Sequence, residues 1–405
     1  MPSLAVARAL VLENVRPLDA EVVPLAACAG RVLAADLLAP WDHPAWDNSA
    51  MDGFAVRAAD LAALPATLAV RGYVPAGRVP AGPLARGAAA RIMTGAPVPE
   101  GADTIVPLEE VEAEGDHVLV RAPVRPGAHV RRAGEDLRAG GLALAAGTVL
   151  TPADVAILAA FSRTEVEVVR RPRVAVLSTG DELLAPGEPR APGRLFDVNS
   201  SALAAAVAEA GGVPVPLGVA RDDRAATEAL VAAGFTSDAL VTSAGVWMGD
   251  RDHVRPSLEA VGATQIFWKV EMKPGRPVAF WRRGDRPAFT LPGNPVAALL
   301  TFETFVRPAL LRMAGHRHVD RPVVRALYQE RLTARPGRAL LLRVRLEPHA
   351  GAVHAFSAGK QEAGLLHPSL RADGLAILPD TGAELEPGSP IDVQLLRPDF
   401  AVRRS

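Results

Sequence analysis

The chain has a single cysteine, Cys28, in 405 residues, which excludes an intramolecular disulfide framework and any multi-cysteine metal site. A lone thiol fits a reducing compartment, so a cytoplasmic setting is expected, with Cys28 as small apolar filling. Excess charge of either sign is also missing. With 44 basic and 45 acidic side chains, no electrostatic footprint points to nucleic acid or to an anionic membrane surface. The most membrane-like stretch, GGLALAAGTVLTPADVAILAAF from Gly140, is interrupted by Gly147, Thr151, Pro152 and Asp154. It reads as a strand, a turn and a helix capped by Thr151 with Pro152 at the first helical position, so no membrane span is expected. Neither GxGxxG nor GxxxxGK[ST] occurs, and HExxH and GxSxG are missing too. Dinucleotide dehydrogenases, phosphate-loop ATPases and elbow-type serine hydrolases all lose support.

What is present is enough apolar residue, 49%, for several cores, punctuated by 35 glycines and 36 prolines. A chain this long is expected to divide into two to four domains. Residues 1–172 open with an amphipathic stretch, LAVARALVLENV, that reads as part of the fold. Short apolar runs such as TLAVRGYV, TIVPLEEV and HVLVRAPV follow, separated by PAGRVPAGP, TGAPVPEG and RPGAHVRRAGEDL. They predict antiparallel sheet with long connections, in two discontinuous or intertwined units. From Arg173 the texture changes to RVAVLSTGDEL, NSSALAAAVAEAGG, VPVPLGVA, RAATEALVAAGF and DALVTSAG. This alternation of buried strands and helices predicts a doubly wound, largely parallel α/β domain over 173–315. Residues 322–397 return to period-two alternation and predict a small β-barrel or sheet.

Sheets of the doubly wound kind bind ligands outside the carboxyl ends of their strands. VLSTGDEL and TSAGVWMGDRD both fall at that edge, so their loops are expected to share a pocket. Glycine turns there can offer backbone N–H groups to phosphate oxygens, although STGDEL alone also suits a plain solvated turn. Lys269 and Lys273 in WKVEMKPGRPVAF fall on one side under either helical or strand spacing, with Arg276 as a third cation. Two surface lysines would have the same spacing. In FTLPGNPVAALLTF, Pro292 and Pro295 stiffen a turn into a helix starting near Val296. Asp52 and Thr94, with Glu135 and Asp136 in GEDL, matter only if folding or assembly brings them to the sheet edge.

The ordered set DNSAMDGFAV, RIMTGAPVPEGAD, RRAGEDL, VLSTGDEL, TSAGVWMGDRD, KVEMKPGRPVAF and LPGNPVAALLTF resembles the MoeA and gephyrin E-domain family, which inserts molybdenum into molybdopterin. The resemblance covers nearly the whole chain. It implies a central unit like the MogA-type molybdopterin-binding domain, two units built from the first half, and a C-terminal β-barrel-like domain. It also implies an elongated homodimer in which the central domain of one subunit meets the N-terminal half of its partner. A MogA-like adenylyltransferase and a receiving molybdoenzyme are the further partners it suggests.

Carried over residue by residue, the resemblance makes Asp52, Asp136, Asp252, Lys269 and Lys273 catalytic candidates. Glu182, Asp222 and Asp252 become magnesium ligands, with Asp223 as a neighbour able to take the place of Asp222. Thr94, Ser178, Thr179, Gly180, Gly245, Trp247, Gly249, Arg276, Pro292 and Pro295 become binding residues. The implied substrates are molybdate and adenylylated molybdopterin, with AMP released. This sequence departs from the family at Ala244 and Trp247, where glycine and a small polar residue are usual, at Ala297, where serine is expected, and at His367 and Pro368. A noncatalytic molybdopterin carrier or scaffold of the same fold is the alternative.

Overall fold

In the computed structural model, residues 1–245, 253–349, 351–397 and 399 are described. Three regions of different sheet logic follow one another along the chain, and the way they meet places the site.

The central unit is built on six strands in the spatial order Val213–Ala220, Arg173–Thr179, Ala239–Ser243, Arg286–Leu291, Ala279–Arg283 and Thr264–Trp268. The first four are mutually parallel, and the last two join antiparallel at one edge. Arg173–Thr179 is almost wholly buried along its length, as its unbroken VAVLS run predicts. Helices cover both faces. Val198–Glu209 and the segments from Pro295 to Met313 pack on one face against Val174, Val176, Val241, Phe280 and Phe289. Arg224–Gly234 and Val254–Ala260 pack on the other against Ala175, Leu177, Leu240 and Trp281. The N-terminal helix Leu4–Glu13, capped by the Ser3 hydroxyl, inserts Ala7 and Val11 into the first of these cores. Its amphipathic spacing is therefore satisfied by the central unit. The covering helix widens to a π turn at Phe302–Val306, just before Pro308. Proline cannot donate to the ladder and crowds the carbonyl four residues back, and a wider turn relieves that crowding.

The N-terminal region leaves and returns through three antiparallel strand pairs. Ala20–Pro24 pairs with Glu165–Val169, Leu37–Leu38 with Leu142–Leu144, and Asn48–Ser49 with Val130–Arg131. Helix Pro152–Ala160, with Thr151 and Asp154 forming a reciprocal capping box, covers this unit. Between the two passes lies a six-stranded sheet from residues 53–120. It is antiparallel except where Ala66–Val74 and Ala88–Ile92 run parallel, because the intervening PAGRVPAGPLARG is a long return and not a hairpin turn. Gly53 permits a close approach at its centre: a β-carbon there would sit 2.2 Å from the Val106 carbonyl oxygen.

The last region closes on itself. Ala339–His349, Ala352–Ser357, Val323–Tyr328, Ser389–Leu395 and Gly374–Leu378 form a ring, because the first and last of these also pair. Closure removes the exposed edges that a small open sheet would carry. Met272–Lys273, supplied by the central unit, adds a short parallel strand against Ala339 and Leu340. Among the described residues no helix is long and apolar enough to cross a membrane.

Candidate functional site

The carboxyl ends of Arg173–Thr179 and Ala239–Ser243 lie where the strand order reverses, the position at which open α/β sheets leave a crevice. A cavity of about 500 Å³ occupies it, lined by Thr179, Gly180, Glu182, Asp222, Ala244 and Gly245 among others. The two loops thus share one pocket. Gly180 has φ +142°, and a β-carbon on it would meet the Glu182 carboxylate at 2.4 Å. Glycine lets that carboxylate fold back over the turn.

Neighbouring residues fix the loop. The Asp222 amide donates to the Asp181 carboxylate at 3.1 Å, and Arg221 Nη1 donates to the carbonyls of Asp181 and Leu183 at 3.1 and 3.0 Å. Asp222 lines the cavity, whereas Asp223 caps helix Arg224–Gly234 by accepting from the Ala226 amide at 2.7 Å. Ser178 is buried, with its hydroxyl bonded to Asp197 and Ser200 at 3.0 and 2.8 Å. It anchors helix Val198–Glu209 and is not part of the cavity lining.

A second cavity, about 720 Å³, opens between the central unit and the barrel. Lys273, Arg276 and Arg338 are its cations and Glu362 its acid, with Pro292 and Ala297 in its wall. The Met272–Lys273 strand puts Lys273 there by pairing with the barrel. Arg343, nearly fully buried, donates to the carbonyls of Lys360, Glu362 and Leu365 and to Ser369 Oγ, and so holds the 360–369 segment that supplies Gln361, Glu362 and Ala363 to the wall. Pro295 begins helix Pro295–Thr301 beside the cavity.

The two cavities meet at Gly293 and Asn294, which line both. Asn199 ties this junction together, its amide donating to Ser243 Oγ at 2.6 Å and to the Gly293 carbonyl at 2.7 Å. Ala244, where glycine is usual in the family pattern, takes φ +70°. A β-carbon at Gly293 would come within 3.3 Å of its methyl group. The extra methyl is accommodated because the residue opposite is glycine.

Neither regular spacing considered for the lysine pair describes it. Lys269 has φ +64°, which breaks the strand period, and its ammonium lies 3.7 Å from the centre of the Trp268 ring. Lys273 lines the junction cavity, and Lys269 is absent from the lining of both cavities.

Asp52, Thr94 and Asp136 stand elsewhere. The Thr94 amide and hydroxyl both donate to Asp52 Oδ1 at 2.7 Å. With Arg91 nearby, they hold the Asp52 carboxyl below the usual carboxylate range. Asp136 is exposed, 3.9 Å from His43 Nε2. None of the three lines either cavity. Trp247, Gly249 and Asp252 lie outside the described residues.

Arg221, Asn199 and Arg338 escape a reading of sequence motifs, whereas Asn294 stands at the helix start that the PGNP turn predicts. Position alone could have flagged Arg221, which directly follows a strand at the carboxyl edge. Glu182 and Asp222 offer hard oxygen donors, the chemistry that suits magnesium, which takes one or two carboxylates and leaves its other positions to water and phosphate. Among the described residues no group of three His, Cys, Asp or Glu side chains could enclose a metal ion by itself.

Comparison with known proteins agrees with this layout region by region. Residues 2–162 match the model of the MoeA N-terminal region (domain I and II), residues 175–312 that of a probable molybdopterin binding domain, and residues 325–396 that of the MoeA C-terminal region (domain IV). Molybdopterin molybdenumtransferase 2 of Mycobacterium tuberculosis is 39% identical over 397 residues, covering 95% of this chain and 97% of its own. The molybdopterin molybdenumtransferase of Nostoc sp. is 38% identical over 73% of this chain and 70% of its own. Among solved structures, a molybdopterin biosynthesis MoeA protein from Pyrococcus horikoshii superposes with a TM-score of 0.84 at 33% identity, covering 97% of this chain and 98% of that one. With its three regions each accounted for and full-length relatives at this identity, the chain belongs to the MoeA family of molybdopterin molybdenumtransferases.

Proposed function

We propose that the protein inserts molybdate into adenylylated molybdopterin in a magnesium-dependent reaction, forming molybdenum cofactor and releasing AMP. The observation that carries this reading is the meeting of two oppositely charged cavities at Gly293 and Asn294. The relatives named molybdopterin molybdenumtransferase give the chemistry its class.

In this reading the adenylyl phosphate lies in the sheet-edge cavity and molybdate in the junction cavity. Glu182 and Asp222 would hold magnesium with Asp252, and the metal would supply neutralisation of phosphate oxygens. Lys273, Arg276 and Arg338 supply fixed positive charge for a doubly negative oxyanion, in a recess where such charges act more strongly than in bulk water. Lys269 belongs to the same anion-handling segment, with Trp268 limiting its motion. Thr179, Gly180 and Gly245 shape the floor, and Pro292 and Pro295 keep the shared wall rigid.

Asp52, Thr94 and Asp136 enter through assembly. We infer a homodimer in which the N-terminal half of one copy faces the central unit of the other, since these residues line neither cavity of their own chain. The Thr94 contacts keep Asp52 ionised and aimed, ready for such a role.

The test is AMP release from adenylylated molybdopterin by purified protein with magnesium, with and without molybdate. Molybdate-dependent release is expected. Tight binding of the substrate without release under saturating molybdate would sink the transferase reading and install the carrier in its place.

A further inference from the structure

We propose that Arg221 is the phosphate-gripping side chain of the sheet-edge cavity, taking the phosphate of a nucleoside monophosphate through the Nε–Nη2 edge of its guanidinium. The inference rests on the assignment of the nucleotide end of the substrate to that cavity.

Arg221 directly follows strand Val213–Ala220, at the carboxyl edge of the sheet. Its Nη1 is already engaged by the carbonyls of Asp181 and Leu183 at 3.1 and 3.0 Å. Both hydrogens of that nitrogen are therefore occupied, and the plane of the guanidinium is fixed. The remaining donors, Nε–H and the two on Nη2, have no partner among the described residues. Nε–H and one Nη2–H point in parallel, the fork that grips two oxygens of a phosphate at once.

Charge supplies the second argument. Among the described residues of the lining, Arg221 is the one lysine or arginine, set beside the carboxylates of Glu182 and Asp222. It forms an ion pair with neither. A cavity holding those carboxylates alone would repel a phosphate. A lysine at this position would supply charge but no planar fork, and its flexible stem would not be held by two carbonyls. Anchoring through Nη1 orders the side chain before the ligand arrives, which reduces the entropy lost on binding.

A clamp that merely held residues 181–184 in place would support every part of the ligand equally. The phosphate grip makes a different demand: sensitivity to the phosphate and indifference to the nucleoside. Calorimetric titration of AMP and of adenosine into wild type, Arg221→Lys and Arg221→Ala separates the two, with thermal melts as a check on folding. AMP affinity is expected to fall by about 10- to 100-fold in Arg221→Ala and by roughly 10-fold in Arg221→Lys, while adenosine affinity changes by less than about 2-fold. If Arg221→Ala does not fold, Arg221→Lys alone carries the test. Equal losses for both ligands, an unchanged AMP affinity, or no AMP binding by wild type would each overturn the proposal. A wild type that binds AMP in this pattern yet releases none from adenylylated molybdopterin would overturn the proposed reaction and leave the role of Arg221 intact.

Discussion

The two cavities that meet at Asn294 are opposite in kind. Among the described residues, the sheet-edge cavity carries two carboxylates, one arginine and His253, and Gly180, Glu182, Arg221, Asp222, Ala244 and Gly245 of its lining come from loops that follow parallel strands. The junction cavity carries two arginines, a lysine and one carboxylate, and it exists only because a second domain closes over the first. An acidic recess with one oriented guanidinium suits a phosphate that arrives with a divalent cation. A basic recess suits a bare oxyanion. In the proposed reaction the two anions are thus kept from sharing one set of counter-charges, and the proposed division of labour follows from that separation.

The sharpest way to break the comparison is Lys273→Ala. Removing one of the junction cations is expected to cut molybdate-dependent AMP release by on the order of 100-fold, while AMP binding in the other cavity stays within about 2-fold. If AMP affinity collapsed as well, the cavities would be one site and the contrast false. Next in size is Glu182→Gln. It is expected to raise the magnesium concentration for half-maximal AMP release by about 10-fold, by removing one oxygen ligand of full charge. An unchanged magnesium requirement would remove Glu182 from the metal's surroundings. The smallest effect concerns the wall between the cavities. Ala244→Gly relieves a left-handed backbone conformation that costs an alanine about 1 kcal/mol, and a stabilisation of about that size is expected in urea unfolding. No gain would mean that the Ala244 methyl contributes packing equal to its strain.

Much of the central unit is legible in sequence because its signals are local and redundant. VAVLS is buried on both faces and reads as a parallel strand, and helix Val198–Glu209 starts at an Asp197 cap. Pro152 after Thr151 marks a helix start that the structure shows with a full capping box. The shared pocket of the STGDEL and TSAG loops follows from the same logic, since both loops leave strands that run the same way. What was not legible depends on residues far apart in the chain. Nothing near Lys273 announces that its backbone pairs with Ala339 and Leu340, and nothing near Lys269 announces its left-handed turn. The tie between Asn199 and Gly293 joins positions 94 residues apart. The Ala226 amide that claims Asp223, leaving Asp222 to line the cavity, likewise lies outside the motif.

The short strand Met272–Lys273 carries a mechanical consequence. Its hydrogen-bonded neighbour is a barrel strand, although its chain belongs to the central unit. Any tilt of the barrel must therefore carry the backbone of Lys273 with it, while Asn294 stays with the central unit at the head of helix Pro295–Thr301. The position of one ammonium group thus depends on how the barrel is seated as well as on the central unit that carries its chain, whereas the wall that both cavities share is built from the central unit's own turn.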